Sequence, residues 1–176
     1  QEKKERRDKT IRDMWLACHT QEEIAEAVDE TRSNVSILLK KFYETKFTKF
    51  AESAEARHQT DFDPPLYNIW SQAAKSNPVS HFGNSEQRWV DNLLYLYTKP
   101  FDVVVDPFAG GGSTIDVCSK RWRRYYVSDR KPIVEREKEI RKHDLVSPDG
   151  SIDLPKLPQW KDVRLVYLDP PYWWQA

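Results

Sequence analysis

Cysteine is nearly missing from this 176-residue chain, with only Cys18 and Cys118 present. Two thiols cannot build a disulfide framework or a zinc site, so a reducing compartment is expected and no metal centre is. Net charge is missing too, since 28 Lys and Arg balance 28 Asp and Glu. A chain that grips nucleic acid through bulk charge carries a basic excess, so any such contact here has to come from local patches. One patch exists: Lys120 to Lys142 holds ten basic residues against four acidic. Its Arg121, Arg123 and Arg124 are candidates for reaching phosphates, or else form a solvated helix face. No apolar run approaches the ~20 residues that span a bilayer, and no secretory signal is visible. With 39% hydrophobic and 32% charged residues the balance is that of a soluble globular chain of one domain or two small ones. Glycine is scarce as well, at five residues, yet three of them are consecutive.

Those three, Gly110, Gly111 and Gly112, follow the β-branched run Val103-Val104-Val105, which reads as a buried parallel strand. Asp106-Pro107 stops the strand, because proline has no donor to continue a ladder. Ser113 and Thr114 can cap a helix beginning there. Strand, glycine turn and helix start form a corner where backbone passes close to a ligand and free amides point at it. On the glycines alone, a plain strand-to-helix connection is an equally good reading.

Two later features favour the ligand. A second strand-like run, Tyr125 to Ser128, ends in Asp129, 23 residues after Asp106. An acidic side chain in that place accepts hydrogen bonds from a ribose diol. A third run, VRLVYL from Val163 to Leu168, ends in Asp169-Pro170-Pro171-Tyr172. The order predicts an adenosine-bearing ligand site with a separate reactive motif nearby. A second Asp-Pro-Pro at Asp63 to Pro65 follows no β run and has Leu66 in place of an aromatic, so position after a strand carries the weight.

DPFAGGGST followed by DPPYW resembles the S-adenosylmethionine-dependent amino-methyltransferases of DNA, over about Asn84 to Trp173. The resemblance implies a Rossmann-like α/β core and S-adenosyl-L-methionine as cofactor. It assigns cofactor contact to Asp106, Pro107, Phe108, Ala109, Gly110, Gly112, Ser113 and Thr114, with Asp129 on the ribose and Asp144 on the adenine amino group. His81, Phe82 and Gly83 are candidates for the pocket wall. Asp169, Pro170, Pro171 and Tyr172 would carry the chemistry. The carboxylate of Asp169 and the carbonyl of Pro170 each accept one amino hydrogen, and Tyr172, helped by Trp173, stacks on a base taken out of the duplex. Aspartate at the head of the tetrapeptide favours adenine N6, with cytosine N4 as the alternative. Neither cysteine follows a proline, as the nucleophile of cytosine-carbon methyltransferases does. A nicotinamide oxidoreductase would want G-x-G-x-x-G, which this corner lacks. An RNA substrate stays open.

The first third reads as helical. Ile11, Met14, Trp15 and Cys18 fall at i, i+3, i+4 and i+7. Thr20 and Glu23 form a capping box opening a second helix through Ile24, Ala25 and Val28. Asp29-Glu30 leads to Thr31, a cap for a third helix bearing Val35, Leu38, Leu39, Phe42 and Tyr43, which runs on through Lys46 to Arg57. HTQEEIAEAVDETRSNVSILLKKF resembles the helix-turn-helix of ParB-like and repressor proteins. That implies Arg32, Ser33, Asn34 and Ser36 at base edges, with Lys40 and Lys41 near the backbone. Packing on a partner or the next domain is the competing reading, as is a regulator whose methyltransferase half is a vestigial scaffold.

The expected layout is a helix-turn-helix domain over 1–57, a linker over 58–83, and an incomplete methyltransferase core over 84–176. Asn84 with Gln87 would cap a helix with the face Val90, Leu93, Leu94 and Tyr97. Pro132 would open another helix running to about Lys142, followed by a short strand ending at His143 to Leu145. Ser147 to Trp160 would be an irregular loop. The chain opens without methionine and stops four residues after Tyr172, which reads as a piece of a longer parent that carries the activity. Double-stranded DNA is the expected partner, and the cytoplasm of a bacterial or phage-infected cell, as in restriction-modification, the expected place. Neither target sequence nor oligomeric state is legible.

Overall fold

The computed structural model describes residues 2–42, 48–61, 86–157 and 160–171. Tyr172 and Trp173, His81 to Asn84, and the linker prolines lie outside the described residues. Among the described residues the helices are α1 (Glu2–Leu16), α2 (Gln21–Val28), α3 (Arg32–Phe42), α4 (Thr48–Asp61), α5 (Gln87–Tyr97) and α6 (Ser113–Lys120). The strands among them are β1 (Val103–Asp106), β2 (Arg124–Asp129), β3 (Arg141–Lys142) and β4 (Val163–Val166). They form one sheet of order β3-β2-β1-β4 in which every pairing is parallel.

The sheet starts from β1, whose four residues are all buried. Successive side chains of a strand point to opposite faces. Val104 accordingly joins one apolar cluster with Tyr125, Val127, Leu94, Ile115 and Val117, while Val103 and Val105 join another with Cys18 and Leu157. A parallel sheet needs both faces covered in this way.

The first cluster also takes in Ile11, Trp15, Leu16, Ile24, Ala25, Val35 and Leu39 from α1–α3. The three helices therefore do not enclose a core of their own. Arginines fasten them to the sheet. Arg124 lies 4.5 Å over the Trp15 ring and donates to the Trp15 carbonyl at 3.3 Å. Arg141 lies 4.4 Å over Tyr126 and donates to the Ala17 carbonyl at 2.8 Å.

These contacts overturn both readings of Arg121, Arg123 and Arg124, the reach for phosphates and the solvated helix face, since all three are buried. Arg121 pairs with both oxygens of Asp91, at 2.8 and 2.7 Å. Arg123 is fully buried and donates to Thr98 Oγ1, the Thr98 carbonyl, the Arg121 carbonyl and Glu55. It satisfies a helix end: Thr98 closes α5, and carbonyls there lack intrahelical partners.

The helix caps follow the local sequence. Thr20 Oγ1 accepts from the Glu23 amide at 3.2 Å and the Glu23 carboxylate accepts from the Thr20 amide at 2.8 Å. Asp29 ends α2 in the left-handed region at φ 53°, and Thr31 accepts from the Asn34 amide at 3.2 Å to open α3. Thr20→Ala is expected to cost about 1 kcal/mol in a denaturant titration, the usual worth of such a cap. A loss below a few tenths would show that α2 is held by packing alone.

Other expectations are corrected. Cys18 lies beyond the end of α1, at φ 57°, and is buried there. Glu86, not Asn84, caps α5, and Tyr97 is 62% exposed rather than on its buried face. Gly112 at φ 83° is the N-cap of α6, so Ser113 and Thr114 fall inside the helix. The segment after Pro132 makes only a 3-10 turn at Val134–Arg136 before β3. Its apolar residues do not share a helical face: Ile140 is buried while Val134 is 79% exposed. No helix among the described residues is long and apolar enough to cross a membrane.

Candidate active site

Strand order places the strands that lead into the two motifs side by side. From β1 the sheet runs to β2 and β3 on one side and to β4 on the other. The chain thus reverses direction across the sheet between β1 and β4, and the crevice outside the carboxyl ends of such strands is where open α/β sheets take ligands. The glycine corner leaves β1 at Asp106, and Asp169 lies just past β4. The pairing continues beyond the strand proper, because the Tyr167 amide donates to the Val105 carbonyl at 2.8 Å.

Asp106 anchors the corner. It is buried, with 2% of its surface exposed. Its Oδ1 accepts from the Phe108 amide at 2.9 Å, and its Oδ2 accepts from the Thr114 hydroxyl at 2.5 Å. Burial pushes its carboxyl up to about 6, and the charges of Asp169 and Asp129 add to the shift. Pro107 and Ala109 are buried beneath the loop, and the Ala109 amide donates to the Ser128 carbonyl at 3.0 Å. Asp129 Oδ2 then accepts from the Gly110 amide at 3.0 Å, and its Oδ1 accepts from the Lys131 backbone amide at 2.8 Å. Gly110 and Gly112 both have positive φ, 50° and 83°, a backbone that residues with a Cβ rarely adopt.

Ser113 Oγ, at the start of α6, is buried and has no hydrogen-bond partner. A buried hydroxyl left unpaired costs free energy unless a ligand completes it. Together with the buried Asp106 carboxylate and a half-buried Asp129, it suits a ligand bearing hydroxyl and cationic amino or sulfonium groups.

The remaining candidates sit further out. Asp169 is half-buried, and Pro170 and Pro171 are exposed. Asp144 is exposed two residues past β3, where its Oδ1 accepts from the Val146 amide at 3.1 Å. On α3, Ser33 and Lys40 are exposed, while Arg32 pairs with Glu22 at 2.7 Å and Asn34 donates to Glu30 at 3.0 Å. Cys118 is fully buried and burial pushes its thiol up, which keeps it from acting as a thiolate.

Sequence reasoning missed Thr114 as the partner of Asp106, although a hydroxyl in the first turn of the helix after the corner was a usable sign. It also missed Arg136, which reaches back to the glycines and which no spacing rule announces.

The N6/N4 methyltransferase family model, described as DNA methylase, matches residues 1–137. That span holds α1–α6, the glycine corner and Asp129, and ends before β3 and β4. Neither the curated proteins nor the solved structures gave a match. On this match, over most of its length, the chain belongs to the N6/N4 DNA methylase family.

Proposed function

We propose that the protein transfers a methyl group from S-adenosyl-L-methionine to the exocyclic amino nitrogen of a base flipped out of double-stranded DNA, adenine N6 in preference to cytosine N4. The observation that supports this reading is the adjacency of β1 and β4, since the glycine corner follows the one and Asp169 follows the other.

The cofactor, when bound, supplies an activated methyl on a good leaving group. Asp106, Pro107, Phe108, Ala109, Gly110, Gly112, Ser113 and Thr114 would hold it, with Asp129 on its ribose diol and Asp144 near its adenine. The amino nitrogen of the target base is planar, its lone pair delocalised into the ring. Asp169 and the Pro170 carbonyl each accept one of its hydrogens, which draws the lone pair back onto nitrogen. Pro171 stiffens the loop, so the acceptors are aimed before the base arrives. Tyr172 gives the flipped base a flat face to stack on. No covalent enzyme intermediate is needed, only alignment of nitrogen, methyl and sulfur.

The α2–α3 pair supports a helix-turn-helix reading over residues 1–57. Two helices are joined by a short turn with a left-handed residue, and α3 presents Ser33, Ser36, Ile37 and Lys40 to solvent. In that reading Ser33 sits at base edges and Lys40 at a phosphate, with Arg32 and Asn34 exchanging their glutamate partners for DNA.

Nucleoside analysis of duplex DNA, after incubation with the intact protein and S-adenosylmethionine, tests the reaction. N6-methyladenine is the expected product. N4-methylcytosine would move the substrate to the other base, and no methylated base would favour a DNA-binding scaffold. Competing duplex RNA should take up no methyl.

A further inference from the structure

The turn after β2 sends one side chain back against the glycine corner. Arg136 Nη1 donates to the Gly112 carbonyl at 3.0 Å and to the Gly111 carbonyl at 3.4 Å. Its Nη2 donates to Asp116 at 2.9 Å and Glu139 at 3.2 Å, and its Nε donates to Glu139 at 2.9 Å. The fit is close: a Cβ built on Gly112 would meet Nη1 at 2.7 Å.

Charge alone does not explain this placement. A cation beside the first turn of α6 opposes the helix dipole. Two carboxylates, Asp116 and Glu139, compensate it, and one of them belongs to that first turn. What remains is geometry. The Gly112 carbonyl shares a rigid peptide plane with the Ser113 amide, the first N–H of α6, and in a trans peptide the two groups point opposite ways. The Ile115 amide donates to that carbonyl at 3.0 Å and Arg136 Nη1 donates to it as well, and together they fix where the Ser113 amide points. Asp129, at the opposite end of the same turn, holds the Gly110 amide, so the segment from 129 to 136 clasps the corner at both ends.

We propose that Arg136 is a positioning residue for the methyl donor, bracing the glycine turn through the Gly111 and Gly112 carbonyls so that the Ser113 amide at the start of α6 faces the cofactor pocket. This rests on the cofactor reading above. A lysine keeps the charge but cannot span two carbonyls and two carboxylates with a planar fork, so it should not rescue.

The test is calorimetric titration of S-adenosylhomocysteine and of 5′-methylthioadenosine, which lacks the amino-acid end, into the wild type, Arg136→Ala and Arg136→Lys. Both variants are expected to bind both ligands about tenfold more weakly, the scale of a lost charge-assisted hydrogen bond. Turnover at saturating donor should fall by less than about threefold, because the bonds act on binding rather than on the reacting nitrogen. Wild-type affinity in Arg136→Ala would overturn the proposal. So would a loss confined to S-adenosylhomocysteine, which would make Arg136 a direct ligand of the amino-acid carboxylate, and so would full rescue by lysine. A wild type that binds neither ligand overturns the cofactor reading itself, and the inference with it.

Discussion

Replacing Asp169 with alanine is expected to cut methyl transfer by at least about 10²–10³-fold while leaving affinity for S-adenosylmethionine nearly unchanged. The residue lies just past β4, beside the end of β1, and its charge is felt at Asp106. In the proposed mechanism it touches the base rather than the cofactor. Its loss removes an acceptor set in advance for the amino hydrogens, and a planar nitrogen is a poor nucleophile. Asn at the same place should also be slow, since its amide hydrogens face the amino hydrogens it ought to receive. Labelled-methyl transfer measured beside cofactor titration separates the two effects. Retention of most of the turnover in Asp169→Ala would show that the lone pair is freed by some other group.

The second large effect belongs to Asp106. A carboxylate with 2% exposure is expensive, and burial pushes its carboxyl up to about 6 from an ordinary value of 3.8. Between those two values the folded protein holds a proton that the unfolded chain has released. Stability therefore falls as pH rises from about 4 to about 6, and the full cost, on the order of 3 kcal/mol, is present above that window. Asp106→Asn removes the charge. Its oxygen still accepts from Phe108 and its amide can donate to Thr114, so the corner keeps its bonds. The variant should be more stable at pH 7 by about 1–3 kcal/mol and should lose the pH dependence between 4 and 6. It should also bind the cationic donor far more weakly, an exchange of function for stability. Wild-type affinity should fall as pH drops through 6, and that of the variant should not. Denaturant titrations at pH 5 and pH 7 with parallel cofactor titrations decide it. A variant that is less stable at pH 7, or that binds the donor as the wild type does, contradicts this account of the corner.

The parts of the fold that were legible in the sequence are those fixed by neighbours. Val103 to Val105, the glycines and the run into Asp129 state their own geometry, because β-branching, positive φ and burial act locally. The Thr20–Glu23 box spans three residues and reads in the same way. Partnership across the chain is another matter. The stripe of Ile11 and Trp15 declares a buried face but not what buries it, and it is shared with the sheet. Arg121, Arg123 and Arg124 read as a basic patch because charge content carries no record of Asp91, Glu55 or Trp15, each distant in sequence. The helix expected after Pro132 yields to a single turn, with Ile140 buried and Arg136 drawn to the glycines. At the candidate site, Asp106, Gly110, Thr114 and Asp129 could be named from their spacing, whereas the Thr114–Asp106 bond and the reach of Arg136 to the glycines are not displayed by the sequence.

A crystal structure of the intact protein with S-adenosylhomocysteine measures the relation between the two loops most directly. The expected result is the ribose on Asp129 and the sulfur facing the carboxylate of Asp169. Ligand bound away from Gly110, or Asp169 turned from the sulfur with the corner occupied, would contradict a shared crevice for methyl donor and base.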